Sequence, residues 1–462
     1  MLADALDPGF IDAHVRALRD RVAEAGVDEV AAATSSEHGV AEADAGRAAA
    51  LVMRALADAE PVPAPRAEPG GAVEPYIPRD AVESLIQTVV EQRLREAPEA
   101  RLIDPGELAA DDPRAAIGGA TAAVRDTTQF GPQDGRWVGE ILKAVVARIA
   151  RGTHPFNPKP AEHQVDDRAR LLVVGDWGTG NAGARRVSAA MVEAIEETLS
   201  EGRQVHVIHL GDVYYSGDAG EYRDRVLAPG RWPVTEELNG RGVTSWSLNG
   251  NHDMYSGGWA YFEKLLGDGR FALQRAPDDR PTSWFRLFTP GGWDVVGLDT
   301  SWSSDPLYAG HQGLLEEPQG ATVAGWAGEE DRRLLLLSHH QFVSSYRKPD
   351  ESKVLKEAIA GALDGGRVAG WIWGHEHVCM TFKPAPNLPF SCCVGHGGVP
   401  VPPKPGGPIP DPGEWVDREV DPGSGGTWAR QGFAILDLHG DRITVGFRND
   451  AGDAVGDPRE IG

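Results

Sequence analysis

The chain has 462 residues, of which 41% are hydrophobic and 25% charged, a composition typical of a globular protein with a length of about three domains. Its 69 acidic and 45 basic side chains give a formal net charge of −24, which excludes a broad basic surface for nucleic acid and a polybasic membrane anchor. The three cysteines, two of them adjacent, do not form a disulfide framework, and we expect buried thiols in a reducing compartment.

Residues 1–165 are predicted to form a helical N-terminal region that carries no catalytic set of residues. Three segments repeat apolar residues at helical spacing, at 11–22, 82–94 and 138–149. The second opens with Asp80 and has Glu83 three residues later, as in a capping box, and the Pro-rich stretch 60–75 predicts a loop. The first residues lack a signal-peptide pattern and no apolar run reaches 18 residues, so we expect a cytoplasmic protein without a membrane partner.

Residues 166–462 are predicted to form a separate α/β domain. After a Pro-rich joint at 154–160, short apolar runs alternate with helical patterns, which indicates strands covered by helices. The predicted strands are Leu171–Val174, Val205–Leu210, Val243–Leu248, Asp294–Asp299, Leu334–Ser338 and Val368–Trp373, and the predicted helices are Val187–Leu199 and Val354–Leu363. The Pro- and Gly-rich segment 399–430 cannot be regular, and two strands, Phe433–Leu438 and Arg442–Phe447, follow it as a hairpin.

Five of these strands are followed immediately by polar residues of the types that bind metal ions. The segments after these strands contain Asp176, Asp212, Asn249-Gly250-Asn251-His252-Asp253, His339-His340 and His375-Glu376-His377. Because ligands of open α/β sheets bind outside the carboxyl ends of the strands, these side chains are expected to converge. Carboxylate, amide and imidazole groups suit Zn, Fe or Mn. His206 and His209 lie inside a strand, and we interpret them as interior histidines without a ligand role.

The ordered set GD, GDxxY, GNHD, H and GHxH resembles the calcineurin-like metallophosphoesterases, and Gly175-Asp176-Trp177-Gly178 with Tyr215 resembles their purple acid phosphatase branch. The resemblance spans about residues 171–398. It implies a two-layer β-sandwich core flanked by helices, to which the N-terminal helical region is an appendage. Many family members have a metal-binding His two residues after the first Asp, where this chain has Gly178. The purple acid phosphatase branch has instead a Tyr three residues after the bridging Asp, and Tyr215 stands there.

The same resemblance implies a role for each residue of a centre with two metal ions, expected to be Fe, Zn or Mn. Asp212 would bridge the ions; the first ion would also bind Asp176, Tyr215 and His377, and the second Asn251, His339 and His375. Tyr214 is the alternative to Tyr215, and His340 is the alternative to His339. His252 matches the catalytic His of the family, and we expect Asp253 to orient it. His340 and His396 are candidate substrate contacts, with a structural role as the alternative for each.

The implied activity is that of a metal-dependent phosphoester hydrolase, with a phosphomonoesterase as the first expectation. A hydroxide shared by the two metals would attack phosphorus in line, and His252 would assist the leaving group. Two alternatives stay open, a phosphodiesterase acting on nucleotides or lipid head groups and a non-catalytic metal-dependent binding protein. The expected partner is a small phosphorylated molecule and not nucleic acid, while the fold alone predicts neither the substrate nor the oligomeric state.

Overall fold

The structure, a computed structural model, describes residues 26–58, 130, 136–304, 313–346, 352–424 and 426–462. The chain divides into two compact units, one of residues 1–152 with 305–310 and the other of residues 153–304 with 311–462. The predicted helices at 11–22 and 82–94 and the predicted loop at 60–75 lie outside the described residues.

In the smaller unit the described residues form helices. These are α1 (Val27–His38), α2 (Glu42–Asp58) and α3 (Arg136–Arg151), and each contacts the other two. Helix α3 confirms the third predicted helical segment, and its apolar face, with Ile141 and Val145, is buried. Lys143 on the same helix forms ion pairs with Glu37 and, at 2.7 Å, with Glu140.

The larger unit contains two mixed β-sheets. Its strands are β1 (Ala161–Gln164), β2 (Arg170–Val174), β3 (Val205–His209), β4 (Thr244–Ser247), β5 (Phe285–Phe288), β6 (Trp293–Leu298), β7 (Arg333–Ser338), β8 (Val368–Trp373), β9 (Cys379–Phe382), β10 (Ser391–Val394), β11 (Gly413–Val416), β12 (Gly432–Leu438), β13 (Ile443–Asn449) and β14 (Ala454–Ile461). The first sheet has the order β1-β5-β6-β7-β8-β10-β9-β11, and the second β14-β13-β12-β2-β3-β4. Strands β2, β3 and β4 run parallel, as do β6, β7 and β8.

The two sheets face each other across one hydrophobic core and carry helices on their outer faces. The helices of this unit are α4 (Ala182–Ser200), α5 (Ala219–Glu221), α6 (Glu236–Gly240), α7 (Asn251–Tyr255), α8 (Gln319–Ala327) and α9 (Lys353–Asp364). Alternate residues of one strand point to opposite layers: Leu171 packs in the core between the sheets, whereas Leu172 packs against α4. In the other sheet Leu335 faces the shared core and Leu336 faces α8 and α9. The predicted α/β sandwich flanked by helices is therefore confirmed.

The division between the two compact units falls between residues 152 and 153. Within the larger unit, Ala161–Gln164 is an edge strand that pairs with β5. Of these four residues only Ala161 is fully buried, so the strand lacks the apolar run that would reveal it. Strand β14 is equally hard to recognise, since most of its residues are exposed and Pro458 lies within it.

The three cysteines, Cys379, Cys392 and Cys393, are buried free thiols, as predicted. Across the helices that the structure describes, none combines the length and the apolar character that crossing a membrane requires.

Candidate metal centre

The predicted ligands follow the carboxyl ends of five strands, three in one sheet and two in the other, and they meet at one end of the sandwich. Four of them, Asp176, Asp212, His375 and His377, have positive backbone φ angles of 56°, 76°, 70° and 44°. Such angles are uncommon for residues other than glycine and cluster at functional sites. Positive φ angles thus occur at four of the six predicted ligands.

The first group consists of Asp176, Asp212 and His377, whose ligand atoms all lie within 4.8 Å of one another. His377 Nε2 is 3.3 Å from Asp176 Oδ1. The hydroxyl of Tyr214 lies among all three, 2.8 Å from Asp176 Oδ1, 3.0 Å from Asp212 Oδ2 and 2.9 Å from His377 Nε2. This arrangement offers two carboxylates, an imidazole and a phenol to one point.

The second group consists of Asp212, His339 and His375, again within 4.8 Å of one another. His339 Nε2 lies 3.5 Å from Asp212 Oδ2, 3.1 Å from His375 Nδ1 and 2.9 Å from Asn251 Oδ1. Asp212 belongs to both groups, which is the geometry that a carboxylate bridging two ions requires.

Neighbouring groups fix the orientation of these ligands. The Nδ1 atom of His339 lies 3.0 Å from the carbonyl oxygen of Leu210, so the ring turns Nε2 toward the site. Asn251 donates from its amide nitrogen to the Tyr255 hydroxyl at 2.7 Å, which leaves its amide oxygen facing His339. Tyr255 lies four residues after Asn251 on α7, and this helical spacing could have identified it as a partner from the sequence.

The structure corrects the predicted tyrosine. Tyr214, the alternative, enters the first group, whereas the ring of Tyr215 lies beneath the guanidinium of Arg225, 5.3 Å from its Cζ. The Tyr215 backbone contributes to the site in another way, because its carbonyl oxygen is 2.7 Å from His252 Nδ1. Residue spacing from Asp212 favoured Tyr215, but the direction of each side chain depends on how the loop folds.

His252 lies beside both groups. Its Nε2 atom is 3.9 Å from Asp212 Oδ2, and its backbone amide donates to Asp212 Oδ1 at 2.9 Å. Burial lowers the pKa of His252 to about 3, although the Tyr215 carbonyl raises it. That carbonyl holds the ring.

Asp253 ties together the loops that carry the ligands. Its two carboxylate oxygens accept hydrogen bonds from the backbone amides of Asp212 at 2.8 Å, Val213 at 3.0 Å and Gly250 at 2.7 Å, and from the Tyr222 hydroxyl at 2.5 Å. Burial raises its pKa to about 6 in spite of these bonds. Asp253 therefore holds the two loops in position, and its predicted action on the His252 ring stays a prediction.

The two predicted substrate contacts are both buried. His340 lies behind the second group, with Nδ1 3.1 Å from Thr300 Oγ1 and its ring 4.7 Å from the ring of His375. His340 thus packs beside His375, and its predicted contact with substrate stays a prediction. The backbone carbonyl of His396 accepts a hydrogen bond from Gly432 at 3.1 Å, and its predicted contact with substrate stays a prediction.

The electrostatics of the site favour bound cations. Burial raises the pKa of Asp176, but the hydrogen bond and charge of His377 outweigh burial and lower it to about 2. Burial and the charges of Asp176 and Asp253 raise the pKa of Asp212 well above its usual range. Two carboxylates this close in a dry site ionise together only at high cost unless positive charge is added. Metal ions between them supply that charge, so the donor set fits a pair of ions.

Comparison with known proteins agrees with this geometry. Residues 169–379 match the family model of the calcineurin-like phosphoesterases. No curated protein sequence matches the chain.

Several solved structures match this chain at low sequence identity. One is GAP50, described as the anchor in the inner membrane complex of Plasmodium, which is 13% identical, covers 64% of this chain and 89% of its own, and has a TM-score of 0.44. PhoD is 10% identical, with coverage of 64% and 69% and a TM-score of 0.43. Vacuolar Protein Sorting 29 from Cryptosporidium parvum is 12% identical, with coverage of 63% and 97% and a TM-score of 0.28. Scores below 0.5 support no conclusion about this protein.

Proposed function

Because residues 169–379 make up a calcineurin-like phosphoesterase domain, we propose that the protein is a metal-dependent phosphomonoesterase acting on a small phosphorylated molecule. One observation carries the proposal: two buried groups of carboxylate and imidazole ligands share Asp212. A net charge of −24 makes a small anion held by metal ions a better substrate than a nucleic acid.

Each ion would be held by its own group and by the shared carboxylate. The first would bind Asp176, Asp212, Tyr214 and His377, and the second Asp212, Asn251, His339 and His375. When bound, the ions would supply positive charge to the phosphoryl oxygens and lower the pKa of water to about 7. A phenol oxygen in the first group favours Fe(III) there, with Zn or Mn as the partner ion. This ligand set supports a place in the purple acid phosphatase-like branch, with Tyr214 in the position predicted for Tyr215.

His252 is the residue that we propose as catalytic. A carbonyl oxygen only accepts hydrogen bonds, so the contact with Tyr215 requires the proton of a neutral ring to sit on Nδ1. Nε2 then points toward Asp212 and the site. In that neutral ring Nε2 carries no proton, so His252 would act as a general acid toward the leaving oxygen only after Nε2 takes up a second proton from solvent. Asp253 would contribute indirectly, by holding the loops of Asp212 and Gly250 in position.

The test is hydrolysis by protein loaded with Mn or with Fe and Zn. We expect p-nitrophenyl phosphate to be cleaved faster than bis-p-nitrophenyl phosphate. Asp212→Asn should lose both metal and activity. Asp437→Asn should lose neither, because Asp437 pairs with Arg170 at the amino end of β2, the opposite end of that strand from Asp176. Protein with two metals per chain and no hydrolysis of either ester would overturn the proposal, whereas a preference for the diester would replace only its monoesterase part.

A further inference from the structure

The orientation of His252 depends on one peptide group. In the trans peptide between Tyr215 and Ser216, the carbonyl and the amide N–H point in opposite directions. The carbonyl of Tyr215 accepts from His252 Nδ1 at 2.7 Å, and the N–H of Ser216 donates to Glu221 Oε2 at 3.0 Å. This planar peptide group therefore connects the His252 imidazole on one side with the Glu221 carboxylate on the other.

Glu221 gathers the whole turn that contains this peptide. Besides Ser216, its carboxylate accepts the backbone amides of Tyr215 and, at 3.1 Å, of Asp218. In turn, the Asp218 side chain accepts a hydrogen bond from the backbone amide of Glu221 at 2.8 Å. This pair of hydrogen bonds completes a capping box at the start of α5. Three backbone amides of this turn therefore donate to one carboxylate.

The carboxylate is itself held in place. Glu221 is only 5% exposed, and its Oε1 atom is paired with Arg225 Nη1 at 2.8 Å. The same guanidinium lies over the Tyr215 ring, so it contacts both the carboxylate and the turn. On the other side, the Ser256 hydroxyl donates to the Ser216 carbonyl at 3.1 Å and links the turn to the end of α7, the helix that carries His252.

We propose that Glu221 is a positioning residue for His252, which it orients and keeps in the Nδ1–H tautomer through the Tyr215–Ser216 peptide. The Tyr215 carbonyl contacts the imidazole Nδ1 in this arrangement, and both oxygens of Asp253 accept hydrogen bonds from the loop amides. A charged acceptor strengthens the hydrogen bonds of the amides that it binds and polarises the peptide between them. The effect on catalysis rests on the proposed function, but the effect on the imidazole does not.

Glu221→Gln distinguishes a role as a hydrogen-bond acceptor from a role in packing. Glutamine has the same shape, but one of its two terminal atoms is a donor, which cannot accept an amide N–H. The turn should then rotate and release the Tyr215 carbonyl from His252. Arg225→Gln is the companion variant, because it removes the ion pair while leaving the carboxylate and its three amide contacts. Asp437→Asn is the matched control for loss of a paired carboxylate elsewhere in the unit.

The direct measurement is nitrogen NMR of metal-free protein labelled at histidine, with the His252 signals assigned by their loss in His252→Ala. We expect the neutral ring of the parent, of Arg225→Gln and of Asp437→Asn to carry its proton on Nδ1, and Glu221→Gln to give a mixture of tautomers or Nε2–H. An Nε2–H ring in the parent protein would overturn the proposal even if Glu221→Gln fails to fold. So would a folded Glu221→Gln protein with an unchanged tautomer.

The kinetic readout uses metal-loaded protein and two leaving groups. Glu221→Gln should lower kcat by about tenfold or more on an alkyl phosphate, a part of the 10²–10⁴-fold that general acid catalysis contributes, and by less on p-nitrophenyl phosphate. Metal content should not change. An equal loss on both esters would overturn the positioning role. If the parent hydrolyses no phosphoester at all, the proposed function fails, while the tautomer comparison still decides the role of Glu221.

Discussion

Gly178 stands where the two loops that carry the metal-binding carboxylates touch, and its replacement by Ala gives a sharp test of the site. Its N–H donates to the Asp212 carbonyl and its own carbonyl accepts from Tyr214, each at 3.2 Å. The residue also forms an isolated bridge with Val213. This backbone docking places Asp176 next to Asp212 and brings Tyr214 to both.

The size of the effect follows from the space around this glycine. A Cβ atom at position 178 would lie 2.5 Å from the Asp212 carbonyl oxygen and 2.6 Å from Val213 Cα, against 3.4 Å or more in ordinary contact. Backbone must therefore move by about 0.9 Å, and overpacking of this kind costs about 1–3 kcal/mol. With an unfolding entropy of about 2.1 cal/mol/K per residue over about 300 residues, the expected fall in Tm is about 2–5 °C.

Elemental analysis and thermal unfolding of purified protein test this expectation. Gly178→Ala should lose metal from the first group, because the loops of Asp176 and Asp212 must separate. Gly446→Ala in β13 is the matched control, since its Cβ would meet nothing within 4 Å, and it should keep both its metal and its Tm. Gly178→Ala protein that retains two metals per chain and the parent Tm would refute the docking of the two loops.

Three further predictions concern single side chains. Tyr214→Phe should reduce metal in the first group and abolish any phenolate-to-iron colour, while Tyr215→Phe should do neither; an exchange of these phenotypes would restore Tyr215 as the ligand. His252→Ala should lower turnover by about 10²–10⁴-fold with metal content unchanged, and more on alkyl phosphates than on p-nitrophenyl phosphate; loss of metal would contradict its role. Burial lowers the pKa of His206 from 6.5 to about 3, so the unfolded chain takes up a proton at this residue before the folded chain does. The free energy of unfolding should therefore fall as pH drops from 6.5 toward 3, by at most about 1.4 kcal/mol per pH unit. In chemical denaturation of metal-free protein at pH 7 and pH 5, His206→Asn should show a smaller difference than the parent, and an equal difference would exclude this titration.

Most of the strands that carry the site were predictable because their residues are mainly apolar and buried. Strand β8 has the predicted limits, Val368–Trp373, and all six of its residues are buried. Strands β2, β3, β4 and β7 lie within one or two residues of the predicted limits. Both faces of such strands are covered, one by the second sheet and one by helices, so the apolar run is long and unmistakable. Edge strands such as β1 lack that burial and therefore lack the signal.

Convergence of the ligands was also predictable, because it depends only on where the strands end. The strand ends and the family resemblance together gave Asp176, Asp212, Asn251 and the three histidines, and the structure brings all six together. His206 and His209 lie within β3 and are buried, and neither belongs to the two groups of ligands.

The tyrosine and the orientation of His252 were not predictable, because both depend on how the loop after β3 folds. Counting from Asp212 gives the distance along the chain but not the direction of each side chain. That direction is set by long-range contacts: Asp253 holds the amides of Asp212 and Val213, Glu221 holds the amides that follow, and Gly178 docks against Val213. From sequence alone, Asp253 and Glu221 are acidic residues that suggest an exposed position or a catalytic role. Gly178 is a glycine in place of an expected ligand. A His at position 178 would meet the same backbone as an Ala. We infer that Gly178 and Tyr214 depend on each other. The loops approach closely enough to exclude a side chain at position 178, and the tyrosine reaches the first group instead.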